Sequence, residues 1–238
     1  MTRLCDLLEI PRGVTAVVGG GGKTSLINRL ARELSESARV LRMTTTRIHP
    51  PDGPVLYTPT PQALQTAFER KRLITACTAL DGGKLGPPEG PLLELAALAD
   101  YTLIEADGSR GLPVKAPAAR EPVLTGGEAL VVAVAGMEAA GRPIAGAAHR
   151  PERYAALVGK PVNALIEPGD IVRALISTHG QRKGVTGRFA VALNQCDTPE
   201  RLAAGRACAA LLPGLCALVA LKSAPDFCEC WRNGTCLF

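Results

Sequence analysis

Gly19-Gly20-Gly21-Gly22-Lys23-Thr24 lies between a β-branched run, Val14-Thr15-Ala16-Val17-Val18, and a stretch where Leu26, Ile27, Leu30 and Leu34 recur at helical spacing. A strand, a glycine turn and a helix opening on Lys-Thr together make a phosphate cradle. Glycines let backbone N–H groups converge on an anion with no Cβ in the way. The helix N-terminus adds unpaired donors and partial positive charge. Lys23 then reaches the terminal phosphates, and the Thr24 hydroxyl is placed to bind magnesium. Gly19, Gly20, Gly21, Gly22, Lys23, Thr24 and Ser25 are the expected nucleotide-binding residues.

Each ordered glycine costs about 0.5–1 kcal/mol relative to alanine. Four in a row therefore give up on the order of 2–4 kcal/mol of a net stability near 5–15. A plain surface turn needs fewer. Val17 stands where the usual phosphate-loop pattern has its first glycine, so this loop is shorter than the standard one.

With 238 residues, nearly half of them hydrophobic and only 3% aromatic, the chain can bury a large aliphatic core. A net charge of +5 suits a pocket for small polyanions and falls short of a nucleic-acid coat. With few aromatics there is little on which to stack bases. No apolar run reaches the ~18 residues of a membrane span. Met1–Arg12 reads as a short helix and not as a secretory signal. Eight scattered cysteines fit reduced thiols in a cytoplasmic protein.

Apolar β-branched runs alternate with helix-period segments along the chain. This predicts a three-layer α/β fold of the P-loop NTPase type, with a mostly parallel sheet flanked by helices. Strands are expected near 14–18, 39–44, 73–77, 101–105, 130–135, 189–193 and 216–221, with a short one at 55–57. Helices are expected near 23–36, 61–71, 91–99, 151–158, 168–178 and 199–211, three of them opening on Pro61, Pro168 and Pro199. Segment 106–128 reads as a long functional loop. Residues 1–222 form the expected nucleotide-binding domain, and 223–238 a cysteine-containing tail that reads as an appendage.

Ligands in such sheets bind beyond the carboxyl ends of the strands. The second strand delivers Thr44-Thr45-Thr46-Arg47-Ile48-His49, whose hydroxyls, Thr45 among them, either coordinate magnesium or cap the strand end. Tyr101–Glu105 ends in a carboxylate, and Asp107 lies two residues on. In an extended chain Glu105 and Asp107 share a face, and two such carboxylates call for a cation. Magnesium bound to phosphates is the natural one, with one carboxylate on the metal and the other polarising a nucleophile. Arg110, Lys115 and Arg120 either neutralise phosphate charge or stay solvated. Asn194-Gln195-Cys196-Asp197 resembles the base-reading Asn-Lys-x-Asp motif of GTPases, with Gln195 in place of lysine. There Asp197 either reads a guanine edge or faces adenine or another base, and Asn194 ties the loops together, with Ser223-Ala224 as a second base-contacting loop. His149 is either an acid–base or substrate-binding group or a structural one. Cys228, Cys230 and Cys236 either bind a thiophilic metal or are plain reduced thiols.

These motifs, together with Ile104-Glu105-Ala106-Asp107-Gly108-Ser109-Arg110-Gly111-Leu112-Pro113-Val114-Lys115-Ala116-Pro117, Glu121-Pro122 and His149-Arg150-Pro151, resemble the YqeC-type family over roughly residues 1–222. That family is described as accessory to selenium-dependent molybdenum hydroxylases. The resemblance implies a cytosolic phosphate-loop protein that helps install labile selenium at a hydroxylase's molybdenum cofactor. Its partners would then be a nucleoside triphosphate, a molybdopterin cofactor or selenium species, and a hydroxylase client.

The residues therefore point to a magnesium-dependent ATP- or GTP-using hydrolase or phosphotransferase, with Lys23, Glu105, Asp107 and Arg110 as catalytic groups. Thr24, Thr45, Glu105 and Asp107 are the candidate metal ligands. A non-catalytic carrier of a molybdopterin nucleotide and a small-molecule kinase are the alternatives.

Overall fold

The computed structural model describes residues 3–50, 53–222 and 228–237. Its strands are β1 Gly13–Gly19, β2 Val40–Thr44, β3 Val55–Tyr57, β4 Leu73–Ala79, β5 Leu85–Gly86, β6 Tyr101–Glu105, β7 Val114–Lys115, β8 Glu128–Gly136, β9 Ala148–His149, β10 Arg188–Asn194, β11 Leu215–Val219, β12 Cys228–Arg232 and β13 Thr235–Cys236. Its helices are α1 Leu4–Leu7, α2 Lys23–Leu34, α3 Pro61–Arg70, α4 Leu92–Ala96, α5 Ile144–Ala147, α6 Pro151–Val158, α7 Pro168–Ile176 and α8 Pro199–Leu211.

The main sheet runs in the order β13-β12-β11-β10-β8-β1-β6-β2-β4-β3, with β5 pairing β4. From β11 to β3 every pairing along that path is parallel. The chain is thus an α/β protein with a large, mostly parallel sheet. The alternation of a strand explains how both faces are covered. In β8, Val131, Ala133 and Ala135 enter one apolar cluster together with α6, α7 and α8 residues such as Tyr154, Ile171 and Cys208. Leu130, Val132 and Val134 enter the opposite cluster, against Leu26, Leu30 and Leu34 of α2 and Leu4 and Leu8 near α1. A third cluster holds Leu41 and Ile74 against α3 and α4.

Capping fixes the helix starts where the sequence sets them. The Thr60 hydroxyl accepts from the Ala63 amide at 3.2 Å and the Thr198 hydroxyl from the Arg201 amide at 3.3 Å, each just before a proline at the first helical position. Before α7, Glu167 and Asp170 form a reciprocal capping box.

Two segments differ from expectation. The described part of the cysteine-bearing tail, residues 228–236, lies along the sheet: β12 pairs antiparallel with β11, Cys230 is buried in the core, and Trp231 packs against it. The edge of β11 supplies unpaired backbone groups, and a short alternating strand satisfies them. Within the long segment 106–128, β7 pairs in parallel with β9, setting Lys115 opposite His149.

Strand β1 has β6 on one side and β8 on the other. The chain leaves β1 toward β2, returns to lay β6 beside β1, then crosses to β8. This reversal opens a crevice at the carboxyl ends of β1, β6 and β8.

Candidate functional site

Strand β1 delivers the glycine turn into that crevice. The Gly19 amide donates to both oxygens of Asp107, at 3.1 and 3.0 Å. The Gly20 amide donates to the Val134 carbonyl and the Gly21 amide to the Leu112 carbonyl, both at 3.0 Å. A Cβ on Gly19 would stand 2.2 Å from the Val134 oxygen, and one on Gly21 2.2 Å from the Gly136 nitrogen. The first glycines are therefore required by close packing on β8 and on residues 112–113, and their amides are used within the protein. The donors left for a ligand move to the opening turn of α2, where the Lys23, Thr24 and Ser25 amides have no intrahelical acceptor. Gly22, at φ 118°, is the left-handed hinge between the two parts.

Lys23 is buried, and its ammonium bonds the Gly19 carbonyl at 2.8 Å and the Ser109 hydroxyl at 3.3 Å. It also lies 3.2 Å from Asp107 and 3.7 Å from Glu105. The cation that reconciles the two carboxylates here is this ammonium. The Thr24 hydroxyl donates to Glu105 Oε2 at 2.9 Å. Burial raises the Glu105 carboxyl above its ordinary value, and the Asp107 charge adds to this, while Lys23 and the Thr24 hydroxyl pull the other way.

Glu105 and Asp107 both lie against the Lys23 ammonium. Strand β6 ends at Glu105, and Asp107 turns beneath the glycine loop with no solvent exposure. Asp107 Oδ2 meets the Lys115 ammonium at 2.9 Å. Lys115, also fully buried, reaches Glu121 at 2.7 Å, and Arg150 holds Glu121 with two bonds of 2.7 and 2.8 Å. Arg150 and Lys115 depress the Glu121 carboxyl to about 2 against the cost of burial. A continuous ion chain thus runs from the loop amide to Arg150. Gly19 and Arg150, at its two ends, are far in sequence from Asp107, Lys115 and Glu121 between them; the one local signal is a lysine inside the apolar run Val114–Ala116.

A cleft of about 690 Å³ opens over the loop, lined by Gly22, Lys23, Thr24, Ser25 and Glu105, and by Arg110 and Arg47 farther along. Asn194 and Asp197 border it from the β10 side. The Asn194 amide donates to the Gly21 carbonyl at 2.7 Å, and its oxygen accepts from the Leu221 amide at 3.2 Å, so it joins the glycine loop to the chain after β11. Asp197 pairs with Arg201 at 2.7 Å. Gln195 sits at φ 65° and donates to Glu138 at 3.3 Å. The Thr45 hydroxyl donates to the Val123 carbonyl at 3.0 Å and does not reach Glu105. Ser223-Ala224 lies outside the described residues.

Among the described residues no group of three or more His, Cys, Asp and Glu side chains is arranged around a metal position. The hydroxyl–carboxylate pair Thr24–Glu105 nevertheless offers two hard oxygens beside the opening turn of α2. Magnesium held jointly with phosphates asks for no more than one or two protein oxygens. No disulfide joins any of the eight cysteines, and no helix among the described residues is long and apolar enough to cross a membrane.

The profile of the YqeC protein family matches residues 15–152, which hold the glycine loop, Glu105, Asp107 and the whole ion chain. The uncharacterized protein YqeC of Escherichia coli (strain K12) is 35% identical over 182 residues, covering 72% of this chain and 71% of the relative. On both grounds the chain belongs to the YqeC family.

Proposed function

We propose that this protein binds a magnesium nucleoside triphosphate in the cleft over Gly22–Ser25 and uses it in maturing a selenium-dependent molybdenum hydroxylase. The first half rests on one observation: the unpaired amides at the start of α2, the Lys23 ammonium and the Thr24–Glu105 pair converge on one open cleft. The second half rests on the family resemblance of the sequence.

Bound phosphates receive the Lys23, Thr24 and Ser25 amides. The Lys23 ammonium leaves the Gly19 carbonyl for the terminal phosphates. Magnesium, when bound, neutralises phosphate charge; Thr24 and Glu105 hold it. Arg110, at the cleft wall, faces the charge of the transferring group. Asp107 and Lys115 keep the loop in shape from below. Asp197 reads the base edge with the oxygen that Arg201 does not hold.

Calorimetry with ATP, GTP and CTP, with and without magnesium, tests the reading together with phosphate release in the presence of a hydroxylase client. Wild type binds one nucleotide and turns it over, while Lys23→Ala does neither. Unchanged affinity in Lys23→Ala overturns the proposal. Tight binding without product, even with the client, assigns the carrier role instead.

A further inference from the structure

A second pocket of about 460 Å³ adjoins the cleft and shares Arg47, Gly108 and Arg110 with it. Its far wall is His149 and Arg150. We propose that this pocket, between Arg47, Arg110, His149 and Arg150, binds a phosphate-bearing small molecule distinct from any nucleotide in the main cleft.

Three observations carry it. First, the guanidinium groups of Arg47 and Arg110 are exposed and have no ion pair or hydrogen bond among the described residues. Arginine forks left free around a concave wall match the oxygens of a phosphate. The pocket's one acid, Glu121, is already held by Lys115 and Arg150, so the field inside is positive. Second, Arg110 and Arg150 both adopt left-handed backbone conformations, at φ 52° and 64°. Such strain in non-glycine residues is concentrated at ligand sites, where the surroundings hold it in place. Third, His149 is half-buried beside these cations, and burial with the Arg150 charge lowers its pKa to about 4. A neutral ring keeps one nitrogen as an acceptor for a ligand hydroxyl.

The ion chain ties this pocket to the glycine loop through Arg150, Glu121, Lys115 and Asp107. The site does not depend on the nucleotide reading, because its far wall lies outside the main cleft.

Inorganic phosphate is the probe, followed by calorimetry and by the ring-nitrogen NMR signals of His149. Lys23→Ala disables the main cleft and is expected to retain phosphate binding and the His149 response. Adding Arg47→Gln and Arg110→Gln to that variant is expected to weaken phosphate by roughly tenfold or more, since charge-assisted bonds are lost. Both arginines are exposed, so the folded state survives the change. The proposal fails if Lys23→Ala abolishes phosphate binding or the His149 response. It also fails if the triple variant binds as tightly as Lys23→Ala, or if wild type binds no phosphate.

Discussion

Asp107 supports the glycine loop from beneath: both of its oxygens accept the Gly19 amide, at 3.1 and 3.0 Å, while Lys23 and Lys115 flank it at 3.2 and 2.9 Å. A buried carboxylate between two ammonium groups is strongly placed. Removing it leaves Lys23 with only Glu105, and Lys115 with only Glu121, as buried counter-charges. Asp107→Ala is expected to cost about 3–5 kcal/mol, the range for breaking a buried pair. Urea denaturation measures it. A loss below about 1 kcal/mol, typical of exposed pairs, would show that the carboxylate is not neutralising these lysines.

Glu121 gives the protein an acid-sensitive point. Its folded pKa, about 2, lies below the 4.5 of an ordinary glutamate. A depressed carboxyl contributes stability above its unfolded value and loses it as pH falls through the folded one. The window is therefore pH 4.5 down to about 2. The shift corresponds to on the order of 3 kcal/mol. Glu105 has the opposite sign: its raised carboxyl favours the folded state less as pH rises past the unfolded value. Glu121→Gln is expected to flatten the acid limb of the stability–pH curve. An unchanged limb in that variant would assign the acid sensitivity to other groups.

His149 follows the same logic as a base. Its folded pKa of about 4 is below the 6.5 of an ordinary histidine, so the ring stays neutral through that interval and stability falls as pH drops across it. A proton NMR titration is expected to find the His149 midpoint near 4. A midpoint above 6 would mean that the ring is solvated and that the burial and Arg150 charge acting on it are weaker than its position dictates.

The site was legible in the sequence where chemistry is carried by local spacing. Val14–Val18, the glycines and the Leu26–Leu34 stripe specify strand, turn and helix because each is a short-range pattern. Asn194 was legible as a loop tie for the same reason, since a side-chain amide after a strand end readily bridges neighbouring turns. The contact of Asp107 with the Gly19 amide was not, because the two residues are 88 positions apart in the chain. The Lys115–Glu121–Arg150 relay was hidden because β7 meets β9 across more than thirty residues, a pairing that no periodicity announces. The pairing of β12 with β11 was hidden for the same reason, since nothing local in Cys228–Arg232 announces its partner strand.

Asn194→Ala tests the loop tie. It leaves the Gly21 carbonyl and the Leu221 amide without the partners they have at 2.7 and 3.2 Å. The expected loss is about 1–3 kcal/mol, the penalty for unsatisfied buried groups. Thermal unfolding of the apo protein reads it. A second effect follows if the cleft binds nucleotide: affinity weakens because the loop is no longer pre-set. Full stability in Asn194→Ala would mean that water replaces the bridge without cost.

Removing residues 223–238 tests whether the tail belongs to the sheet. Strand β12 covers β11 from Leu215 to Val219, and Cys230 and Trp231 pack on the two apolar clusters. Truncation bares a hydrophobic strand edge and uncovers β11, a template for pairing with other chains. The shortened protein is expected to unfold at lower temperature and to associate on concentration. Cys230→Ser, which keeps the strand but buries a hydroxyl in place of a thiol, is expected to lower stability by a smaller amount. Light scattering and calorimetry on the two variants separate edge exposure from core packing. A truncated protein with unchanged unfolding temperature and a monomeric scattering mass would show that β11 needs no cover.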